Sequence, residues 1–332
     1  MGIKNLLYFL SNYSNIINET DNESYNGKRI AIDISILIYQ VVIGFRNTGS
    51  DIINNDGQII SHILGLFNKT LYFLNKNIIP IYVFDGKPPK LKQKLLQLRK
   101  YNRMKALNTF YNLDINNSNK IKYFKKSVYI TQEQMNQCRE LLNLMGIPFI
   151  NAPEEADSQL SYLCKSNMVY AVFTEDMDIL TFGSPIIIKN FTSPQKKFIE
   201  IKLDNILNEL NLTYNEFIEL CILFGCDYCH HIINIKPQDI YKIYIKHKSI
   251  EKTLDEIKNM GYYISKYYDY KSAFNYFTDS KYIPIQNDQL KLSKPNIEKL
   301  FNILINKYNL NKDIISTKLI KLNNYYNKLK II

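Results

Sequence analysis

Three unbroken apolar runs, each ending in or leading to acids, constrain this chain more than any other feature. Lys28-Arg29-Ile30-Ala31-Ile32-Asp33, Ile79-Pro80-Ile81-Tyr82-Val83-Phe84-Asp85 and Val169-Tyr170-Ala171-Val172-Phe173-Thr174 read as strands of a parallel sheet buried on both faces. Ile147–Ile150 and Pro185–Ile188 read as two more strands, while Ser61–Asn75 and Gln134–Met145 repeat their apolar residues at helical spacing. Strands alternating with helices predict βαβ units, hence an α/β fold with a mostly parallel sheet covered by helices on both faces. Beyond about Cys229 no strong strand signal returns, so the remaining chain is predicted to be helical.

Ligands of an open parallel sheet bind outside the carboxyl ends of its strands. The acids fall there. Asp33 and Asp85 end two strands, Asp176 and Asp178 follow a third, Glu154, Glu155 and Asp157 open a helix after Ala152-Pro153, and Asp227 follows the apolar helix Phe217–Gly225. A single acid of this kind can simply cap a helix, which is the expected role of Glu154. Gathering six or seven is different, because each close pair costs about 4 kcal/mol at an effective dielectric of roughly 20. Bound multivalent cations would offset that cost. Oxygen donors without organised His or Cys indicate Mg²⁺, with Mn²⁺ as a substitute, rather than zinc. Two such ions about 4 Å apart would clamp the attacking and leaving oxygens of a displacement at phosphorus.

The net charge of +11 over 332 residues favours a polyanionic partner. No run of about 18 apolar residues is present, so no membrane span is expected. The N-terminus lacks the apolar stretch of a signal peptide, and an intracellular protein with five reduced cysteines is expected. Lys87–Lys126 is strongly basic, and the polar turn Asn112–Asn119 divides it into two helical pieces. Within it, Lys92 and Arg99 are seven residues apart, which predicts two turns along one helix face.

Two local patterns mislead. Cys226-Asp-Tyr-Cys229-His230 has the spacing of a haem attachment site, but without an export signal these read as core cysteines. Asp176-Met-Asp178 has the spacing of an aspartate-based phosphatase nucleophile, but Leu180 stands where that motif wants Thr or Val.

Met1-Gly2-Ile3, Ala31-Ile32-Asp33, Val83-Phe84-Asp85-Gly86-Lys87-Pro88-Pro89, Leu144-Met145-Gly146-Ile147-Pro148, Glu155-Ala156-Asp157, Thr174-Glu175-Asp176-Met177-Asp178 and Gly225-Cys226-Asp227-Tyr228 resemble, in order and over residues 1 to about 250, the flap endonucleases, which are structure-specific 5′ nucleases. The resemblance implies a PIN-like α/β/α nuclease core whose N-terminal region covers 1–106 and internal region 134–225. A helical gateway and cap would occupy 88–133, a helix-two-turn-helix region 226–310 and a C-terminal tail 311–332. It implies that Asp33, Asp85, Glu155, Asp157, Asp176, Asp178 and Asp227 carry two Mg²⁺ ions, with Lys92 and Arg99 acting on the scissile phosphate. Gly2, Tyr39, Arg46, Arg103, Lys122, Lys125, Lys126, Asn234 and Lys236 would contact branched or flapped DNA.

The implied activity is 5′ flap endonuclease and 5′–3′ exonuclease hydrolysis at single-strand/double-strand junctions. The implied setting is replication and repair, with the nucleus or site of DNA replication as the expected location. The competing reading is a junction-binding protein that does not cut, but a pure binder gains nothing from seven repelling carboxylates beside DNA.

The chain departs from the family pattern in three places. Asp157 stands where the flap endonucleases have Glu. Asn234-Ile235-Lys236 replaces a Gly-Ile-Gly hairpin that grips duplex DNA with a potassium ion; Asn tolerates the left-handed region, whereas Lys236 is expected to cost more, its ammonium standing in for the ion. Leu319-x-x-Leu322-x-x-Tyr325-Tyr326 keeps only the apolar spacing of a sliding-clamp motif, and packing of a terminal helix on the core is the stronger reading.

Overall fold

The computed structural model describes residues 2–21, 23–114, 116–190 and 197–329. Seven strands, β1 (Ile17–Thr20), β2 (Arg29–Asp33), β3 (Ile79–Phe84), β4 (Phe149–Asn151), β5 (Ala171–Phe173), β6 (Ile186–Lys189) and β7 (Phe198–Lys202), form a mixed, mostly parallel sheet in the order β1-β7-β6-β5-β2-β3-β4. β2, β3 and β4 pair in parallel, as do β5 and β6. β7 runs antiparallel to both β6 and β1. The five apolar runs in the sequence are therefore β2 to β6. The short β1 and β7 were not foreseen: β1 (Ile-Asn-Glu-Thr) has little apolar content, and β7 alternates as Phe-Ile-Glu-Ile-Lys.

The chain forms two compact units, each assembled from separated segments. One comprises Met1–Asp21, Asp85–Leu95 and Ala152–Pro284; the other comprises Asn22–Phe84, Leu96–Asn151 and Ile285–Ile332.

In the second unit the helices Ile34–Phe45, Ser61–Asn75 and Gln132–Met145 accompany β2, β3 and β4. The last starts with a reciprocal capping box, in which the Thr131 side chain accepts from the Gln134 N–H and Gln134 reaches back to the Thr131 N–H. Phe67, Phe73 and Tyr82 are fully buried here, and the buried Tyr82 hydroxyl is satisfied by Thr70 Oγ1 at 2.8 Å. The helix Lys312–Lys328 buries Leu319, Leu322 and Tyr326 within this unit, and the Tyr326 hydroxyl donates to the Met145 carbonyl at 2.7 Å. That is the packing role expected of a terminal helix. Leu319, Leu322 and Tyr326 of the degenerate clamp motif are thus buried, and Tyr325 is half-buried.

In the first unit, β1, β7, β6 and β5 are joined by the helices Ala156–Lys165, Tyr214–Phe224, Pro237–His247, Ile250–Asn259 and Tyr270–Thr278. Tyr214–Phe224 is apolar nearly all round because seven of its residues are buried, which makes it a central helix rather than a surface one. The polar piece Asn112–Asn119 lies between the helices Gln93–Asn112 and Lys120–Lys126, as the basic stretch predicted. Among the described residues no helix is long and apolar enough to cross a membrane.

Candidate active site

Six of the predicted acids lie in the first unit, and backbone geometry directs several of them together. Asp85 follows β3 and its Oδ1 accepts the Ala156 N–H at 2.9 Å, so it caps a helix start that Glu155, the residue at the N-cap position, does not cap itself. The next residue must be glycine, since a Cβ at Gly86 would lie 2.2 Å from the Ala152 carbonyl oxygen; the Gly86 N–H instead donates to Glu154 O at 2.6 Å. Asp176 is set by two successive short bonds: its N–H donates to Thr174 Oγ1 at 3.0 Å, and its Oδ1 accepts from the Asp178 N–H at 3.1 Å.

Asp178 is 1% exposed, and its Oδ1 has no hydrogen-bond partner among the described residues. Burial, then the negative charges of Asp176, Asp227 and Glu155, hold its carboxyl well above the usual range, against the pull of Lys92. An orphaned buried carboxylate oxygen beside other acids is costly unless something positive neutralises it.

Lys92 places a positive charge among these acids. Its ammonium is hydrogen-bonded to Glu155 Oε1, lies 3.6 Å from Asp227 Oδ2 and sits 5.4 Å from the centre of the Tyr228 ring. Burial alone would lower its pKa, but the carboxylates of Glu155, Asp157 and Asp227 outweigh burial and the net shift is upward. Glu155 Oε2 accepts from the Tyr228 hydroxyl at 2.5 Å and from the Tyr276 hydroxyl at 3.4 Å. Both phenols are pushed up by burial and then by the neighbouring acids, so they remain donors. Among the described residues no three acids, histidines or cysteines stand grouped to hold a metal ion as placed. The Lys92 ammonium instead lies against Glu155 and Asp227.

Asp33 lies in the second unit. It ends β2, and its Oδ1 accepts the Ile36 N–H at 3.1 Å, capping the helix Ile34–Phe45. Glu154, expected to cap a helix, instead precedes the N-cap position of the helix Ala156–Lys165 and forms an ion pair with Lys281 at 2.9 Å. Cys221 and Cys226 are buried thiols pushed up mainly by burial, which fits core cysteines.

Comparisons with known proteins show the family. Residues 1–106 match the model of the XPG N-terminal domain, and residues 146–227 match that of the XPG I-region. Flap endonuclease 1 of Glycine max is 38% identical over 336 residues, spanning 99% of this chain and 88% of the relative. The chain belongs to the flap endonuclease family. Flap endonuclease-1 from Methanococcus jannaschii superposes with a TM-score of 0.73 at 28% identity, covering 96% of this chain and 98% of that one. The catalytic core of Rad2 in complex with DNA substrate shares the fold, with a TM-score of 0.73 at 23% identity over 97% of this chain.

Against this family pattern several residue expectations change. Lys92 closes the 3-10 turn Lys90–Lys92, and the helix Gln93–Asn112 that carries Arg99 begins after it. Arg46 was expected to grip DNA phosphate, but its guanidinium is spent internally. It is bidentate to Asp51 at 2.8 and 2.8 Å, donates to Phe124 O at 2.7 Å and to Ser127 Oγ at 3.2 Å, and lies over the Phe124 ring. This fork anchors the helix Lys120–Lys126 and engages four of the five guanidinium N–H groups within the protein.

Lys125 Nζ likewise donates to Asn47 Oδ1 at 2.6 Å, whereas Lys122 and Lys126 are exposed. Arg103 lies 5.1 Å over the Tyr129 ring, and Tyr39 is half-buried on the helix Ile34–Phe45. Asn234 does adopt the left-handed region at φ 64°, but Lys236 has φ −83°, so its expected conformational cost is not incurred.

Sequence reading did not single out Tyr276 or Lys4. Nothing local marks Tyr276 as a partner of a residue 121 positions earlier. Lys4, whose N–H bonds Gly225 O at 2.9 Å, has an ammonium lowered by burial and partly restored by Asp227.

Gly2, expected as a DNA contact, instead approaches the acids. At φ +81° a Cβ there would stand 1.8 Å from Asp176 Oδ1 and 3.1 Å from Asp178 Oδ1. Gly2→Ala is therefore expected to displace Asp176 and reduce nuclease activity at least about tenfold while the fold persists, since misplacing a reacting-centre group by an ångström can cost that much. Steady-state cleavage alongside circular dichroism checks this, and full activity in the variant would refute the close approach.

Proposed function

We propose that this chain is a structure-specific 5′ nuclease that hydrolyses DNA phosphodiesters at flap junctions using divalent metal ions. One observation carries the reading: the buried Lys92 ammonium is hydrogen-bonded to Glu155 and lies 3.6 Å from Asp227, within the unit that also holds Asp157, Asp176 and the buried Asp178, so an ammonium already stands in for a cation among the acids. The donor set suits magnesium or manganese, because it consists of carboxylate oxygens and includes a buried, orphaned Asp178 Oδ1. Asp176, Asp178, Asp227, Glu155 and Asp157 would hold the ions, with Asp85 and Asp33 as the further acids of the set. Bound there, the ions would supply an activated water and neutralise the phosphate.

The protein's own groups supply the rest. Lys92 stays protonated, since its pKa is raised, and can donate to a phosphate oxygen once its carboxylates are otherwise neutralised. Arg99, which the family resemblance assigns to the scissile phosphate, would offer it a planar fork. Exposed Lys122 and Lys126 on the helix Lys120–Lys126 offer charge to a strand backbone without reading sequence, as a junction-specific enzyme needs. Water adds to phosphorus and the bond to the 3′ oxygen breaks, leaving a 5′ phosphate on the downstream product. Replication and repair, where 5′ flaps arise, are the proposed setting.

A duplex with a labelled 5′ flap, incubated with the protein and Mg²⁺, tests this directly. Cleavage near the junction is expected, none with chelator, and none with Asp178→Ala. Tight binding of the flap without any cutting by the unaltered protein would favour the junction-binding alternative.

A further inference from the structure

Both oxygens of Glu155 are engaged, and one donor comes from a part of the chain that the two family models do not reach. Oε1 faces Lys92, while Oε2 is shared by Tyr228, beside Asp227, and by Tyr276. The matched segments end at residue 227. Tyr276 lies on the helix Tyr270–Thr278, which starts where Asp269 Oδ1 accepts the Ser272 N–H at 3.1 Å.

That helix is fixed by aromatic packing. Phe277, 2% exposed, lies edge-on to Phe182 and Tyr228 with ring centres 5.1 Å away in each case. The Tyr276 ring is 4.7 Å from Tyr228 and 5.9 Å from Phe182. Removing the Tyr276 hydroxyl would thus leave a ring that is already held.

The chain that follows runs along the helix Ala156–Lys165, which Glu155 begins. Ser158 Oγ donates to Lys281 O at 2.7 Å. The wholly buried Gln159 makes two bonds to one residue, donating to Ile283 O at 2.9 Å and accepting from the Ile283 N–H at 2.7 Å. Tyr162 stacks on Tyr282 at 4.3 Å, and Lys281 pairs with Glu154. Residues 276–283 therefore clasp the first two turns of the acid-bearing helix, and the Tyr276 hydroxyl is the end of that clasp that reaches the carboxylate.

We infer that Tyr276 is a positioning residue, which with Tyr228 fixes the orientation of the Glu155 carboxylate so that Oε1 stays turned toward the cation-holding side of the site. Two donors on one oxygen define a rotamer that a long, flexible glutamate would not keep alone. The inference rests on the nuclease reading above, and the measurements separate the two.

Tyr276→Phe deletes only the hydroxyl, and Tyr276→Leu also deletes the ring. In the full chain, Tyr276→Phe is expected to lower kcat on a flap substrate about tenfold, the lower end of the usual loss when a hydrogen bond to a metal-directing carboxylate is removed. KM for the DNA should stay the same, the melting temperature should not move, and calorimetric titration with Mn²⁺ should show weaker binding. A merely structural tyrosine would leave the Phe variant's kcat and Mn²⁺ affinity unchanged and show its loss only in Tyr276→Leu, together with a lower melting temperature; that result overturns the inference. If the unaltered protein neither binds Mn²⁺ nor cuts, the nuclease reading itself falls and takes the inference with it.

Discussion

Lys92→Met is expected to lower kcat on flap DNA by about 10²–10³-fold, the loss typical when one donor to developing charge is removed. It should also destabilise the protein in chelator. Lys92 is the cation between Glu155 and Asp227, and all three side chains are about nine-tenths covered. Removing one member of a buried charged set costs about 3–5 kcal/mol, because the remaining charges are left without a counterion.

Added Mn²⁺ should offset more of that loss than it adds to the unaltered protein. The sign with pH follows from the upward shift of the Lys92 pKa. A raised lysine contributes its full stabilisation below the ordinary value of 10.5 and loses it only as pH rises through the folded value. The stability gap in chelator should accordingly stay constant between about pH 6 and 9 as far as Lys92 itself is concerned. Thermal melts of both proteins, with chelator and with Mn²⁺, give the answer. Equal melting temperatures in chelator would sink the counterion role.

Asp178→Asn should act in the opposite direction on stability and more strongly on catalysis. The Asp178 carboxyl is raised by burial and by Asp176, Asp227 and Glu155, so ionising it works against folding when no cation is bound. Its folded value lies above the unfolded one. The stabilisation is therefore present at pH below the ordinary 3.8 and is lost as pH rises through the folded value. At neutral pH in chelator, the neutral Asn variant should melt higher by about 2 °C or more, and the gap should close on acidification. With Mg²⁺ the order reverses in function: cleavage should fall by at least about 10³-fold, since one oxygen donor to the ions becomes a weaker amide. A variant that is both active and no more stable in chelator would remove Asp178 from the centre of the site.

Much of the fold was legible along the chain. Buried parallel strands need continuous apolar residues, so β2 to β6 announced themselves, and acids stand just past β3 and β5 as the sequence pattern predicted. The strands that escaped, β1 and β7, are those whose mixed composition gives no unbroken apolar run. The Thr131 capping box likewise marks the helix Gln132–Met145 within two residues of its predicted start.

Charge was less readable than carboxylate position. A lysine or arginine in a basic stretch looks the same whether it faces solvent, phosphate or an internal acid. Arg46 turned inward to Asp51 and Phe124, Lys125 to Asn47, and Lys92 to Glu155 and Asp227. These choices depend on which partners the folded chain brings within a few ångströms.

By itself, the sequence determined the α/β class and the family, and it marked where acids follow strand ends, because apolar period, strand-end placement and local spacing are properties of short segments. Only the tertiary structure decided that Gly2 presses against Asp176, that Lys92 pairs with Glu155 and Asp227, and that Tyr276 reaches back to Glu155. Contacts between residues a hundred or more positions apart leave no periodic trace, since they are selected by packing of whole elements and not by any one segment's pattern.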